Sequence, residues 1–116
     1  MKICVTAVKS GLDAEIDPRF GRSNYFTIVD TETMDYESVK NPNTEAAAGA
    51  GPQAAQILGE KGVSVVITKN VGPNAVATLD VVNISVYLAT TDSVREAVDM
   101  FKMGRLKHMT DQRVRF

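Results

Sequence analysis

Residues 63–82 constrain this chain more than any other stretch. VSVVIT (63–68) is an apolar, β-branched run without clean alternation, as expected of a strand covered on both faces. It stops at a bare polar turn, Lys69-Asn70-Val71-Gly72-Pro73, after which GPNAVATLDVV (72–82) reads as a helix. A buried strand that runs directly into a helix needs a parallel neighbour to return to.

The pattern recurs on both sides. GPQAAQILGEKG (51–62) reads as a helix with Pro52 at its first position and Gly62 just past its end. Ala54, Ala55, Ile57 and Leu58 form its apolar stripe. ISVYLAT (84–90) reads as a strand. DSVREAVDMFKMG (92–104) reads as a helix capped by Asp92 or Ser93 with Glu96 closing a capping box, and Gly104 stopping it. Its inner face is Val94, Ala97, Val98 and Phe101. KICVTAV (2–8) is a central strand, and NYFTIVDT (24–31) pairs as a hairpin with a third strand inside 33–42. Residues 9–23 read as a long polar loop punctuated by Gly11, Pro18 and Gly21. The order β-β-β-α-β-α-β-α predicts an α/β fold: a mixed five-stranded sheet with helices on its faces and parallel later strands.

The 116 residues suit one domain, expected over 1–104 with a basic C-terminal segment at 105–116. Hydrophobic residues make up 44% and charged residues 23%, an ordinary globular mixture. The net charge of −1 provides no field for nucleic acid or membrane. Residues 102–116 nonetheless carry Lys102, Arg105, Lys107, Arg113 and Arg115 against Asp111, a net +4. That stretch reads as a solvated tail or a docking arm. The sequence opens with no signal-like region and has no run of about 18 apolar residues, so a cytoplasmic protein is expected. One cysteine, Cys4, excludes an internal disulfide and an all-thiolate metal site. Inside a strand it reads as a small hydrophobe, with soft-metal ligation the weaker alternative. His108 reads as a surface residue.

Two segments suggest chemistry. Both Gly-Pro turns start helices where preceding strands end, and helix starts offer unpaired N–H groups with partial positive charge. Two side by side make an anion receptor, with Asn70 and Asn74 as further donors. The competing reading is that Gly-Pro only makes an efficient turn. AGAGPQA fits G-x-G-x-x-A, but it does not directly follow a strand, and Lys69 stands where a dinucleotide site needs an acid. No Walker phosphate loop is present. In DPRFGRSNYF (17–26), Arg19 and Arg22 flank Phe20 and Gly21. Guanidinium forks suit multi-oxygen or multi-sulfur anions. Alternatively, either arginine pairs with Asp17 or Asp30 while Phe20 fills the core. Asp13, Glu15 and Asp17 read as a solvated acidic loop rather than a magnesium site.

Together, DPRFGRSNYF, GAGPQAAQILGEKGVSVVIT and NVGPNAVATL resemble the dinitrogenase iron–molybdenum cofactor-binding domain family, which includes nitrogenase accessory carriers and orange-protein-like proteins. The resemblance spans residues 1 to about 107. It implies a ribonuclease H-like three-layer α/β/α fold and labile, non-covalent binding of an anionic metal–sulfur cluster containing iron, molybdenum or copper. It also implies a Mrp/MinD-type ATPase or a cluster-assembly protein as partner. By position it assigns Arg19, Phe20, Gly21 and Arg22 to the motif loop, and Gly49, Gly51, Gly72, Pro73 and Asn74 to the two glycine turns. Several carriers of that family have histidine or cysteine near the first glycine turn, whereas TEAAAGAGP has neither. That departure favours an electrostatic cradle over thiolate or imidazole ligation.

The expected site thus comprises Lys9, Ser10, Arg19, Phe20, Gly21, Arg22, Gly49, Ala50, Gly51, Gln53, Lys69, Asn70, Gly72, Asn74 and Thr90. The expected function is carriage without catalysis, in a monomer or weak dimer. An empty regulatory module for the ATPase is the alternative. A metal-dependent phosphodiester-cleaving enzyme is disfavoured because the first strand carries no acid.

Overall fold

The computed structural model describes residues 1–42, 44 and 49–109. Strands β1 (Lys2–Ala7), β2 (Tyr25–Asp30) and β3 (Tyr36–Lys40) come first. Then α1 (Ala50–Glu60), β4 (Val63–Thr68), α2 (Pro73–Val81), β5 (Ser85–Leu88) and α3 (Val94–Lys102) alternate. A two-residue strand, β6 (Lys107–His108), follows. The strands form one sheet in the order β3-β2-β1-β4-β5-β6. The pairs β1–β4 and β4–β5 are parallel, with Val5 beside Ile67 and Ile67 beside Tyr87. The other neighbours are antiparallel.

The expected five-stranded sheet therefore has six strands. The sixth was hidden because two residues carry no periodicity. It is held by Lys107 and His108 pairing with Leu88 and Tyr87, and by the His108 ring stacking on Tyr87 at 4.7 Å. His108 is accordingly half-buried rather than a free surface residue. Leu106 joins the core beneath α3, and Met109 packs on the opposite face.

Successive strand residues point to opposite faces, which divides the apolar residues into two cores. Ile3, Val5, Ala7, Val65 and Ile67 pack under Val94, Ala97 and Val98 of α3. Cys4, Phe26, Ile28, Val66 and Val86 pack under Ala54, Ala55 and Leu58 of α1 and Ala75 and Leu79 of α2. The molecule is thus three layers, with α1 and α2 on one face and α3 on the other. Phe26 is fully buried on the α1 and α2 side of the sheet.

The stretch 9–23 is not simply polar. Leu12, Ala14 and Ile16 are buried in the α3-side core, while Asp13 and Glu15 face outward. Backbone bridges join Ile16 to Ala7 and Glu15 to Ser93. The segment is a strand-like strap whose alternation is framed too closely by Gly11 and Pro18 to stand out. Two of the three acids are engaged: Asp13 pairs with Arg95 at 2.9 Å, and Asp17 is buried.

Candidate functional site

The carboxyl ends of β1 and β4 meet the first turns of α1 and α2 at one edge of the sheet. The chain between β1 and β2 closes this corner. Asn70 N–H donates to the Pro18 carbonyl at 2.8 Å, and Phe20 N–H donates to the Asn70 carbonyl at 3.1 Å. The motif loop therefore runs alongside the polar turn after β4 like two added residues of parallel sheet. Below it, the Thr6 hydroxyl lies 2.9 Å from that of Thr68, and it donates to the Asp17 carbonyl at 2.7 Å.

Glycine determines how closely these parts approach. A Cβ on Gly21 would sit 2.6 Å from the Gly51 nitrogen, and a Cβ on Gly51 would sit 2.7 Å from the Ala75 Cβ. The loop thus meets α1 backbone to backbone, and α1 meets α2 at the Ala75 methyl. These two glycines are explained by packing, not by ligand approach. Gly72 differs: its φ of −74° suits any residue, and a Cβ there would meet nothing within 4 Å. Its bare backbone faces open space.

Around this contact lies a cleft of about 520 Å³ lined by Arg19, Phe20, Gly21, Arg22, Gly49, Ala50, Gly51, Pro52, Asn70, Val71, Gly72, Pro73, Asn74 and Ala75. Most of the expected site residues are gathered here, along with Pro52, Val71, Pro73 and Ala75. Phe20 lends only its backbone. Its ring is 1% exposed and packs against Phe26 at 5.9 Å, so it is a core plug.

Five expected residues lie outside the cleft. Lys69 follows Thr68 by one position and so points to the α3 side, where it pairs with Asp92. The Thr90 hydroxyl turns toward Met100 of α3. Lys9 and Ser10 are exposed on a turn drawn toward β3 by the Gly11 N–H bond to Ser38 Oγ at 2.9 Å. Gln53 is exposed on the first turn of α1 beside Gly49 and flanks the cleft. Cys4 is fully buried between sheet and helices, and burial pushes its thiol pKa well up, so no thiolate is available for a soft metal.

The two arginines are held differently. Arg19 Nε and Nη2 donate to Asp17 Oδ1 and Oδ2 at 3.2 and 3.3 Å. Asp17 also accepts the backbone N–H of Arg19 at 3.1 Å and of Asn24 at 3.2 Å. Hydrogen bonding to Asp17, then its charge, raises the Arg19 pKa, keeping the exposed guanidinium cationic. Arg22 donates to the Thr44 carbonyl at 3.2 Å, leaving its charge without a carboxylate partner among the described residues.

Sequence reading passed over the supports of this loop. Asn41 is buried and donates to the carbonyls of Gly21 and Ser23, both at 2.9 Å. Ser23 Oγ accepts the Ala7 N–H at 3.1 Å. A turn-type Asn-Pro pair at 41–42 concealed the first, and nothing in the local pattern marks the second.

Helix capping separates the helices that face the cleft from the one that does not. In α3, Ser93 accepts the Glu96 N–H, and Glu96 supplies an acid in the first turn. The starts of α1 and α2 have neither a side-chain cap nor a first-turn acid. Gly49 adopts a left-handed φ of 76° at the start of α1, and Pro73 is the first residue of α2. Pro52 is the third residue of α1, not its first, because the helix begins at Ala50. Among the described residues, the cleft lining offers backbone N–H groups, two guanidiniums and carboxamides, with no cysteine or histidine. This donor set suits an anion held by hydrogen bonds and charge. It does not suit a directly ligated metal.

Comparison with known proteins agrees with this architecture. The family model described as dinitrogenase iron-molybdenum cofactor matches residues 1–104. The apo form of the orange protein from Desulfovibrio gigas is 40% identical with a TM-score of 0.89, covering 92% of this chain and 91% of that one. A NifB-like protein from Thermotoga is 38% identical with a TM-score of 0.84, covering 94% of this chain and 93% of that one. An uncharacterised protein of Methanocaldococcus jannaschii is 32% identical over 95 residues, which is 79% of this chain and 80% of its own length. The chain belongs to the dinitrogenase iron-molybdenum cofactor family.

Proposed function

We propose that this family member binds and carries an anionic metal–sulfur cluster of iron, molybdenum or copper, held non-covalently in the cleft, and catalyses no reaction. The observation that carries this reading is the pair of uncapped helix starts. Their partial positive charge converges on one cleft, while α3, which faces away, is capped by its own chain. A thiometallate is a diffuse polyanion that accepts many weak hydrogen bonds without a fixed ligand count. The family's name and its orange-protein relative favour a cluster over a phosphate.

Arg22 and the N–H groups at the start of α2 would carry most of the contact, with Asp17 setting the direction of Arg19. A carrier is favoured over a metal-dependent hydrolase because β1, KICVTA, brings no carboxylate to the cleft. We read the architecture as ribonuclease H-like on the strength of the strand order and the antiparallel β2. An ATPase partner and the empty-module alternative rest on family resemblance alone.

Arg22→Ala is the cleaner test, because removing Arg19 would strand the buried Asp17 carboxylate. Anaerobic titration with tetrathiomolybdate, followed by visible absorbance, should show R22A binding about tenfold more weakly, an ordinary loss for one charged hydrogen bond. Its thermal midpoint should be nearly that of the parent. Equal affinity in both proteins would place the anion elsewhere.

A further inference from the structure

Arg22 lies half-buried in the cleft with no carboxylate partner among the described residues. Neutral hydrogen bonds must therefore aim it. A peptide group is planar, so holding its carbonyl or its N–H holds the whole unit. Each peptide group around Arg22 is held in this way. The Gly21 carbonyl, in the peptide before Arg22, accepts from Asn41 Nδ2 at 2.9 Å. The Ser23 N–H, in the peptide after it, donates to the Phe20 carbonyl at 3.3 Å. The Ser23 carbonyl, one peptide further on, accepts from the same Asn41 Nδ2 at 2.9 Å. A carboxamide nitrogen carries two hydrogens, and Asn41 commits both to carbonyls that bracket Arg22. Its own backbone N–H donates to the Asn24 carbonyl at 3.0 Å.

The far end of the arginine is held from the same side. Its guanidinium donates to the carbonyl of Thr44, shortly after Asn41 in the chain, at 3.2 Å. Asn41 is 2% exposed and is not among the described residues that line the cleft, so it can act on a bound anion only through the loop. The residue type fits this task. An ionised aspartate at the same position would turn only acceptors toward these carbonyls and bring a negative charge into the loop that carries Arg22. A carboxamide holds the loop and leaves the charge of the arginine for the ligand.

We propose that Asn41 is a positioning residue that aims Arg22 at the anion, so that a buried side chain at the exit of β3, outside the cleft, sets the affinity of the cleft. The inference rests on the anion site proposed above.

Titrating N41A, R22A and N41A/R22A with tetrathiomolybdate separates aiming from general support. N41A should bind about tenfold more weakly than the parent, as R22A does, and the double variant no more weakly than R22A alone. Stability should behave differently. N41A should lower the thermal midpoint in the parent and in R22A alike, because the loop carbonyls lose their donor in both. Where N41A does not fold, N41S, which keeps one donor, takes its place in the cycle. In the free protein, N41A should move the Arg22 Nε–H signal toward that of a solvated arginine, while the Arg19 signal, held by Asp17, stays in place. Parent-like affinity in N41A, losses that multiply in the double variant, or an unmoved Arg22 signal would each overturn the proposal. If R22A binds as the parent does, or the parent takes up no probe, the anion reading itself fails, and the Arg22 signal still decides whether Asn41 aims that side chain.

Discussion

Cys4 shows how position in a strand decides chemistry. It sits opposite Ile28 on β2 and beside Val66 on β4, covered by α1 and α2. Burial raises the thiol pKa far above its ordinary value of 9.0, whereas in the unfolded chain it ionises normally. Once the pH exceeds the unfolded pKa, the unfolded state has released a proton that the folded state keeps. Stability therefore falls as pH rises, at most about 1.4 kcal/mol per pH unit for this one group. Urea unfolding between pH 8 and 10 should show this fall, and Cys4→Ala should flatten it despite starting from lower overall stability. Equal slopes in the two proteins would show the thiol ionising freely in the fold. Burial of Cys4 was legible from its place in an apolar strand. The roles of Phe20 and Lys69 were not settled there: Phe20 read either as a ligand-facing motif residue or as a core plug, and Lys69 was expected in the anion cradle. Packing turned Phe20 into the core, and strand alternation sent Lys69 to the other face.

At the scale of elements, the site depends on two helices being able to touch at their first turns. Gly51 and Gly72 serve this corner in opposite ways, which two substitutions distinguish. Gly51→Ala drives a methyl into Ala75 and should destabilise by about 1–3 kcal/mol, the usual cost of overpacking. Gly72→Ala meets nothing, and its backbone is already in the region favoured before proline. It should leave stability within about 0.5 kcal/mol, or raise it slightly by restricting the unfolded chain. The new methyl should nevertheless weaken tetrathiomolybdate binding. Chemical unfolding and the absorbance titration measure both. A Gly51→Ala protein as stable as the parent, or an undiminished Gly72→Ala affinity, would contradict this division. Helices and long strands were legible because their period and caps agree: Ser93 with Glu96, Gly62 and Gly104 past helix ends, and Pro73 at a helix start. The strap at 12–16 and β6 escaped notice because each is too short for period to outweigh its neighbours.

At the scale of the whole molecule, the three layers follow from strands that are apolar on both sides, and the parallel units place two helix starts at one edge. That much follows from strand–turn–helix order. Which residues meet there does not, since the loop from 17 to 23 is positioned by the buried Asp17, Ser23 and Asn41, whose long-range bonds have no local signature. Among the described residues no helix is long and apolar enough to cross a membrane. The most direct measurement is the visible absorption spectrum of anaerobically purified protein, with elemental analysis of the same sample. The account predicts charge-transfer bands and stoichiometric iron, molybdenum or copper, lost on gel filtration in high salt as a labile anion would be. A colourless, metal-free protein that also refuses supplied tetrathiomolybdate would contradict it.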